Sequence, residues 1–281
     1  MSLDQGALLA WGVPRLRDLP WRHTRDPWAV LVSEVMLQQT QVPRVIPKWT
    51  AFLDAYPTAS ACAAASLGDV LRLWQGLGYP RRARNLHACA IAVHDLGAFP
   101  DTLDGLLALP GIGPYTARAI LTFAFERDVA VVDTNIARVY ARVLNRRLTP
   151  KEVQDAADAS LVSGEAWAWN QSLMDLGAVL CRPRAARCHE CPLADRCGWH
   201  RDGGDDPAPG SAGVSAPQGR FELSDRQARG RLMKALTHGP VRLPDVASVM
   251  ERDALTAERL VTDLCSERLI SRDGDVLHLP R

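Results

Sequence analysis

Residues 181–197 read C-R-P-R-A-A-R-C-H-E-C-P-L-A-D-R-C, and this stretch decides the fold more than any other part of the chain. Its four cysteines follow the spacing C-x6-C-x2-C-x5-C. Structural zinc sites usually combine two close C-x2-C pairs that lie far apart in sequence. Here a single close pair stands between two wider arms, which suits four thiolates around an iron–sulfur cubane. The spacing therefore predicts a [4Fe-4S] cluster held by Cys181, Cys188, Cys191 and Cys197.

The composition predicts a globular chain from a reducing compartment. Its 281 residues, 47% of them hydrophobic, allow one large domain or a main domain with a small one. The other three cysteines, Cys62, Cys89 and Cys265, are scattered as ordinary buried thiols are. No apolar run is long enough to cross a bilayer, and the N-terminus lacks a signal-peptide pattern. We expect a cytoplasmic protein without a membrane partner.

The charge distribution points to DNA only locally, because the net charge is +1. Arginines cluster at 81–84, at 142 with 146–147, and within the cysteine loop at Arg182, Arg184 and Arg187. Each cluster favours contact with phosphates. Each is equally compatible with a solvated helix face.

Helical signals dominate residues 1–200. Asp26 and Pro27 form an N-cap and first-turn pair before a helix at 28–39. Further helices are predicted at 44–55, 58–65, 67–76, 80–96, 103–108, 115–126, 134–145, 150–162 and 166–180. Residues 201–219 carry no apolar pattern and predict a flexible linker. Helices at 224–237, 244–252 and 255–268 and a hairpin turning on Asp273-Gly274 then predict a winged-helix-like module at 220–281.

The stretch 109–117, L-P-G-I-G-P-Y-T-A, predicts a tight turn between two helices. Gly111 and Gly113 permit the turn, and the absence of their side chains allows backbone N–H groups to meet a phosphate at the start of the next helix. The motif is typical of a helix-hairpin-helix DNA-binding element. A plain interhelical loop is the alternative.

Two carboxylates suggest chemistry. Asp133, in V-V-D-T-N-I, should cap the following helix, where N–H donors and the helix dipole favour its ionised form. Glu34 shares a helix face with Val30, Leu31 and Leu37, so burial should favour its protonated form. One acid and one anion are what cleavage of an N-glycosidic bond requires. A plain cap and a solvated glutamate are the alternatives.

With the hairpin, Asp133 and the cysteines following one another in this order along the chain, it resembles the helix-hairpin-helix DNA glycosylase superfamily. Residues 20–200 resemble the MutY-type adenine DNA glycosylases in particular, through P-W-R at 20–22, S-E-V-M-L-Q-Q-T-Q at 33–41, G-L-G-Y at 76–79, R-N-L-H at 84–87, V-D-T-N at 132–135, W-N-Q at 169–171 and D-L-G-A at 175–178. The resemblance implies an all-α, two-lobed fold with a [4Fe-4S] loop. The expected lobes are a six-helix barrel at 27–126 and a cluster lobe formed by 1–26 and 127–200.

The resemblance also implies roles for individual residues. Glu34 would protonate the adenine, and Asp133 would stabilise the sugar cation or bond to it transiently. Tyr115 and Asn135 would assist these two carboxylates. The extruded base would contact Arg22 and Gln171. Gln39 would wedge into the duplex, while Thr40, Leu77 and Tyr79 would face the partner base, 8-oxoguanine or guanine, in double-stranded DNA bound by a monomer.

Two departures qualify the resemblance. Lyase relatives carry a lysine just after the hairpin glycines, where this chain has Tyr115, and its three lysines are Lys48, Lys151 and Lys234. We therefore expect a glycosylase without a Schiff-base lyase step. Many MutY enzymes also carry a Nudix-like domain, for which residues 220–281 are too short. A T:G mismatch glycosylase or endonuclease III-like lyase, and a non-catalytic DNA-binding module, remain as alternatives.

Overall fold

The computed structural model describes residues 3–214 and 219–281. They form two compact units, which do not follow the order of the chain. The first unit lies within Met1–Val30, Asp101–Leu107 and Gly113–Pro217, and the second within Leu31–Pro100, Ala108–Ile112 and Gln218–Arg281. The predicted lobes had boundaries at 26 and 126. The helix after residue 113 packs instead with the first unit, and the C-terminal module packs with the second.

The helices follow the predicted ones closely. They are α1 (Gln5–Gly12), α2 (Pro27–Leu37), α3 (Val42–Ala55), α4 (Ala59–Ala63), α5 (Leu67–Trp74), α6 (Pro80–Leu96), α7 (Leu103–Leu107), α8 (Pro114–Phe123), α9 (Thr134–Val143), α10 (Pro150–Ala159), α11 (Ala166–Val179), α12 (Gly198–Asp202), α13 (Asp225–His238), α14 (Val246–Met250) and α15 (Ala254–Ser266). The all-α prediction for residues 1–200 is confirmed. Sequence analysis missed α1 and α12. No helix in the described residues is long and apolar enough to span a bilayer.

The first unit packs around the aromatic side chains of Tyr140 on α9 and Trp169 on α11, both fully buried. Asp26 caps α2 as predicted, because its carboxylate accepts the N–H of Trp28 at 3.1 Å. Asp4 caps α1 in the same way through the N–H of Ala7, which was the available signal for this missed helix. Helices α9 and α11 thus meet in the hydrophobic core of the first unit.

Part of the predicted linker, 201–219, is packed rather than flexible. Asp206 pairs with Arg142 of α9, and Ala208 is 1% exposed. The Ser211 hydroxyl accepts the N–H of Leu148 at 3.0 Å. The sequence did not predict these contacts, because they are made by single side chains in a polar, glycine-rich segment that has no apolar pattern. Residues 215–218 of this prediction lie outside the described residues.

The second unit contains the predicted winged-helix-like module. It consists of helices α13–α15 and a three-stranded antiparallel sheet of order β1-β3-β2. The strands are β1 (Val241–Arg242), between α13 and α14, and β2 (Ser271–Asp273) and β3 (Val276–His278), after α15. The predicted hairpin is β2–β3, and the short strand β1 was missed. The three helices and the hairpin are confirmed.

Candidate active site and cysteine loop

Asp133 of the first unit lies at the N-terminus of α9 and caps it, as predicted. Its backbone is extended, with φ −89° and ψ −179°, and its Oδ1 accepts the N–H of Ile136 at 2.7 Å. Its Oδ2 accepts Nδ2 of Asn135 at 2.9 Å. Both oxygens of the carboxylate are therefore held by donors from the first turn of the helix, which fixes the orientation of the group.

The pKa of Asp133 is shifted in the direction opposite to the one expected from its capping role. Burial raises the pKa of the Asp133 carboxyl above its ordinary value, and this effect outweighs the hydrogen bonds from Ile136 and Asn135 and the nearby charge of Arg138, all of which lower the pKa. An ionised Asp133 is thus poorly solvated. A charge in such surroundings interacts strongly with a positive charge that forms beside it.

Arg138, which sequence analysis did not single out, links Asn135 to the cysteine loop. One terminal nitrogen, Nη2, donates to Asn135 Oδ1 at 2.8 Å and to the carbonyl of Gly177 at 2.6 Å. Its Nε donates to the carbonyl of Cys181 at 2.7 Å. Arg138 is 3% exposed. The i, i+3 spacing from Asn135 was visible in the sequence, but the carbonyls that Arg138 meets come from α11 and the loop beyond it.

Arg22 and Gln171, expected to contact the base, are both buried in the first unit. The two terminal nitrogens of Arg22 donate to the two oxygens of Asp175, each at 2.8 Å. Asp175 also accepts the backbone N–H of Arg17 at 2.8 Å. Although burial opposes it, the hydrogen bonds from Arg22 and Arg17 hold the pKa of Asp175 below its ordinary value. Arg22 is therefore fixed by a two-point ion pair that sequence analysis did not foresee.

Tyr115, expected to assist the two carboxylates, is the second residue of α8 and is half-buried in the first unit. Pro114 occupies the first position of that helix, where its missing N–H is no loss. The turn before the helix therefore determines where Tyr115 lies.

The four predicted cluster cysteines line one cavity of the first unit, together with apolar residues of α9 and α11. All four are free thiols. Burial raises the pKa of Cys191 to about 11, and the neighbouring cysteines add to the increase. The described residues contain no group of three or more His, Cys, Asp or Glu side chains arranged to hold a single metal ion. The thiols are distributed around the wall of the cavity.

The arginines of the first unit divide into buried and exposed ones. Arg142, predicted to join a basic patch, is 2% exposed and donates to Cys181 Sγ at 3.3 Å and to Asp206 Oδ2 at 2.6 Å. It therefore serves the cysteine loop rather than a solvated face. Arg182, Arg184 and Arg187 are exposed, although Arg187 pairs with Glu190.

Glu34 belongs to the second unit. It lies on α2 and is 6% exposed, among buried neighbours such as Leu31 and Val35. The predicted burial of this glutamate is confirmed, and the alternative of a glutamate on a solvated face is wrong.

Two loops of the second unit carry the residues expected at the partner base. Gln39 and Thr40 lie in the loop 37–41, which is counted from the last residue of α2, and Leu77 and Tyr79 lie in the loop 75–79. Gln39 has φ +55° and Tyr79 has φ +49°, a left-handed conformation that costs a residue other than glycine of order 1–3 kcal/mol. Leu77 is buried, whereas Gln39 is exposed. Contacts with neighbouring residues must therefore stabilise the left-handed conformation of Gln39 and Tyr79.

Arg82 supplies those contacts, and sequence analysis assigned it only to a basic run. Its Nη1 donates to the carbonyls of Val35 and Gln38 at 2.7 and 2.6 Å, at the end of α2. Its Nη2 donates to the carbonyl of Leu77 at 2.9 Å and to Oγ1 of Thr40 at 3.2 Å. Burial lowers the pKa of Arg82 to about 10. One guanidinium thus connects both loops.

The hairpin turn of the second unit depends on Gly111. Its φ is +76°, and a Cβ there would lie 2.6 Å from Cβ of Asn85 on α6. The N–H of Ile112 donates to the carbonyl of Leu109 at 3.2 Å, which closes the turn. Gly113 has extended backbone and begins the next helix as its N-cap. The structure therefore requires a glycine at position 111, as the sequence predicts, whereas the backbone of Gly113 is one that any residue adopts.

Comparison with known proteins gives the family. Residues 32–161 match the HhH-GPD superfamily of base excision DNA repair proteins. The chain is 42% identical over 279 residues to the adenine DNA glycosylase of Mycobacterium tuberculosis, covering 95% of this chain and 90% of that protein. It is 40% identical to the adenine DNA glycosylase of Mycolicibacterium smegmatis, covering 98% and 95%. A solved thermostable thymine-DNA glycosylase is 28% identical with a TM-score of 0.67, covering 70% and 94%. The chain therefore belongs to the adenine DNA glycosylases, enzymes of the HhH-GPD superfamily.

Proposed function

We propose that the chain removes adenine mispaired with 8-oxoguanine or guanine in double-stranded DNA, by hydrolysis of the N-glycosidic bond and without a lyase step. The observation that carries the proposal is the held carboxylate of Asp133, with both oxygens fixed at the start of α9. Such a group cannot turn away to be solvated. It is therefore suited to stabilise the positive charge that develops on the sugar.

Glu34 is the proposed general acid. Its carboxyl group is 6% exposed, and in the protonated form it carries a proton that it can donate. That proton would pass to the adenine, which makes the base a better leaving group. Asn135 would orient Asp133, and Tyr115 would assist the pair.

Base binding is assigned to Gln171 and Arg22. Gln171 brings an amide, which can both donate and accept hydrogen bonds as an adenine edge requires. Arg22 would act from within its ion pair, because Asp175 fixes the guanidinium plane. The base must leave the helical stack before either side chain can reach it.

The cysteine cavity fits a [4Fe-4S] cluster, since four thiols and apolar side chains line it. Crowded thiolates need a compensating positive charge, because each raises the pKa of its neighbours. The donation from Arg142 to Cys181 Sγ is a hydrogen bond that stabilises a thiolate ligand. When bound, the cluster would supply folding free energy to residues 181–197. Cys181, Cys188, Cys191 and Cys197 would hold it.

DNA contacts are assigned to two places. The backbone at Gly111 and Gly113, at the N-terminus of α8, would bind a phosphate. The exposed Arg182, Arg184 and Arg187 would bind phosphates at the cysteine loop, with Arg187 exchanging Glu190 for DNA. Partner-base contacts are assigned to Gln39, Thr40, Leu77 and Tyr79. We propose a cytoplasmic monomer, since one chain carries every residue in this scheme.

The test is a single-turnover assay on duplexes that contain A opposite 8-oxoguanine, A opposite G, T opposite G, or an oxidised pyrimidine, with and without alkali. Cleavage at A only, and only after alkali, supports the proposal. Breaks without alkali would support a lyase, and cleavage at T a mismatch thymine glycosylase. Glu34→Gln should bind DNA and lose cleavage. For a substitution of Asp133, the matched control is Asp253→Asn. Asp253 also caps a helix, because its carboxylate accepts the N–H of Thr256 at 2.9 Å.

A further inference from the structure

The C-terminal module (220–281) contacts the loop 75–79 directly. Arg226, in the first turn of α13, donates from Nη1 to the hydroxyl of Tyr79 at 2.8 Å. The centre of its guanidinium lies 5.8 Å from the centroid of the Tyr79 ring and 5.1 Å from that of Phe221. Cation–π attraction therefore acts together with the hydrogen bond. The hydroxyl and the ring of Tyr79 both have a partner in the module.

A buried carboxylate fastens the module to α6, the helix that begins directly after Tyr79. Glu267, at the end of α15, is 9% exposed and pairs with Arg81 of α6 and with Arg229 of its own module. Arg84 of α6 donates to the carbonyl of Glu267 at 2.6 Å. Breaking one partner of a buried pair leaves the other charge unpaired at high cost. The module is therefore joined to α6 by ion pairs with a buried carboxylate and by a backbone hydrogen bond.

A second junction fastens the module to α5, the helix that ends directly before the loop 75–79. The N–H of Gly68 donates to the carbonyl of Pro280 at 2.9 Å. A Cβ at Gly68 would overlap that carbonyl oxygen, so the C-terminal residues lie directly against α5. Both helices that bracket the loop are therefore bound by the same module.

We propose that the C-terminal module sets the preference for the partner base, and that Arg226 is a positioning residue that holds the side chain of Tyr79 for this purpose. The inference rests on the proposed function, in which Tyr79 faces the partner base. Tyr79 occupies a left-handed conformation that other contacts must maintain. Arg82 holds the backbone of the loop and also lies 5.5 Å from the centroid of the Tyr79 ring, while Arg226 contacts the ring and donates to its hydroxyl.

The consequence is a difference between partner bases rather than a general loss of activity. A ring held in one orientation before DNA binds accepts the base that fits it and rejects the one that does not. A ring released from Arg226 adapts to both. Release should therefore lower the ratio of cleavage rates for A opposite 8-oxoguanine and A opposite G, with little change for the preferred duplex.

The experiment compares wild type, Arg226→Ala, Tyr79→Phe and the double variant in single-turnover assays on both duplexes. Loss of one hydrogen bond of about 1 kcal/mol corresponds to a ratio lowered about fivefold. Each single variant should show a fall of at least this size. The double variant should fall no further than Arg226→Ala, because that change removes both the hydrogen bond and the cation–π contact, whereas Tyr79→Phe removes only the hydrogen bond. Arg226→Lys should restore part of the ratio. Arg259→Ala is the matched control, since Arg259 pairs with Asp225 inside the module and is half exposed.

Three results would overturn the inference. The ratio could stay at the wild-type value in Arg226→Ala, or the two single variants could add independently. Alternatively, Arg226→Ala could weaken binding equally for every duplex with a smaller salt dependence, which would identify Arg226 as a phosphate contact. If Arg226→Ala does not fold, Tyr79→Phe decides alone, because it removes only the hydroxyl. A wild type that cleaves no adenine would refute the proposed function instead.

Discussion

The surroundings of Asp133 and those of Tyr79 hold a functional side chain in different ways. Asp133 lies at the end of a helix, and its donors come from the next turn of that helix. Tyr79 lies in a loop in a left-handed conformation, and its hydrogen-bond donor comes from residue 226 of the chain. The group to which we assign the charge of the sugar cation is held by regular structure. The group to which we assign the partner base is held by contacts made only after folding.

Each region also depends on one arginine, which is buried in the first case and half-buried in the second. Arg138 joins Asn135 to the carbonyls of Gly177 and Cys181 in the first unit. Arg82 joins the loops 37–41 and 75–79 in the second unit. Both guanidiniums donate mainly to backbone carbonyls. Because a different arginine serves each region, a substitution can disturb one region and leave the other intact.

The largest expected effect comes from Asp133→Asn. The change keeps an acceptor for the N–H of Ile136 but removes the negative charge, and loss of one electrostatic stabiliser of a transition state costs about a thousandfold in rate. DNA affinity should stay near the wild-type value. Single-turnover rates and binding to uncleaved duplex measure the two quantities. Retention of most of the rate would contradict the role assigned to Asp133.

The second largest effect is expected from Arg138→Met. Methionine fills the space but leaves the carbonyls of Cys181 and Gly177 without their donor, and outer partners of a metal site typically matter by about 10- to 100-fold in affinity or activity. We expect both the rate and the iron content of the purified protein to fall. Arg146→Met, which removes an exposed pair with Glu152, is the control. Iron content equal to wild type would show that the two sites are not linked by Arg138.

Arg82→Lys tests the other region. A lysine cannot reach both loops, so we expect a loss of about 2 kcal/mol in the free energy of unfolding, as for a buried hydrogen-bonded charge. Preference for the partner base should fall more than the cleavage rate. Denaturant unfolding and the two-duplex assay give these values. Arg72→Lys, at an exposed pair with Asp69, should change neither.

The smallest expected effect is on stability and depends on pH. Burial raises the pKa of Asp133 in the folded protein, so its contribution to stability is complete at pH values below the ordinary carboxyl pKa. That contribution is lost as pH rises through the raised value. Asp133→Asn should therefore be more stable than wild type at pH 7, and the difference should shrink on acidification. Thermal unfolding from about pH 4 to pH 8 checks it. A variant that is less stable at neutral pH would refute the assigned direction.

Local patterns account for what sequence analysis predicted well. An aspartate or threonine cap defines the starts of α2, α9 and α10, and α2 and α10 also have proline at the first position. The glycine turn at Gly111, the cysteine spacing and the burial of Glu34 were likewise visible, because each depends on neighbours within a few residues. The packed segment after residue 202 was missed, since Asp206 and Ser211 meet partners more than sixty residues away.

The sequence by itself determined the helices, the hairpin turn, the capping role of Asp133 and the cysteine loop. These follow from backbone hydrogen bonding and apolar periodicity, which act over one or two turns of chain. Only the tertiary structure decided where the arginines lie. The half-buried Arg82 and the buried Arg138 and Arg142 have the same charge and length as the exposed Arg184. Their placement depends on carbonyls and carboxylates that distant segments bring to them. A long cation can be solvated or buried at similar free energy, and packing selects between the two.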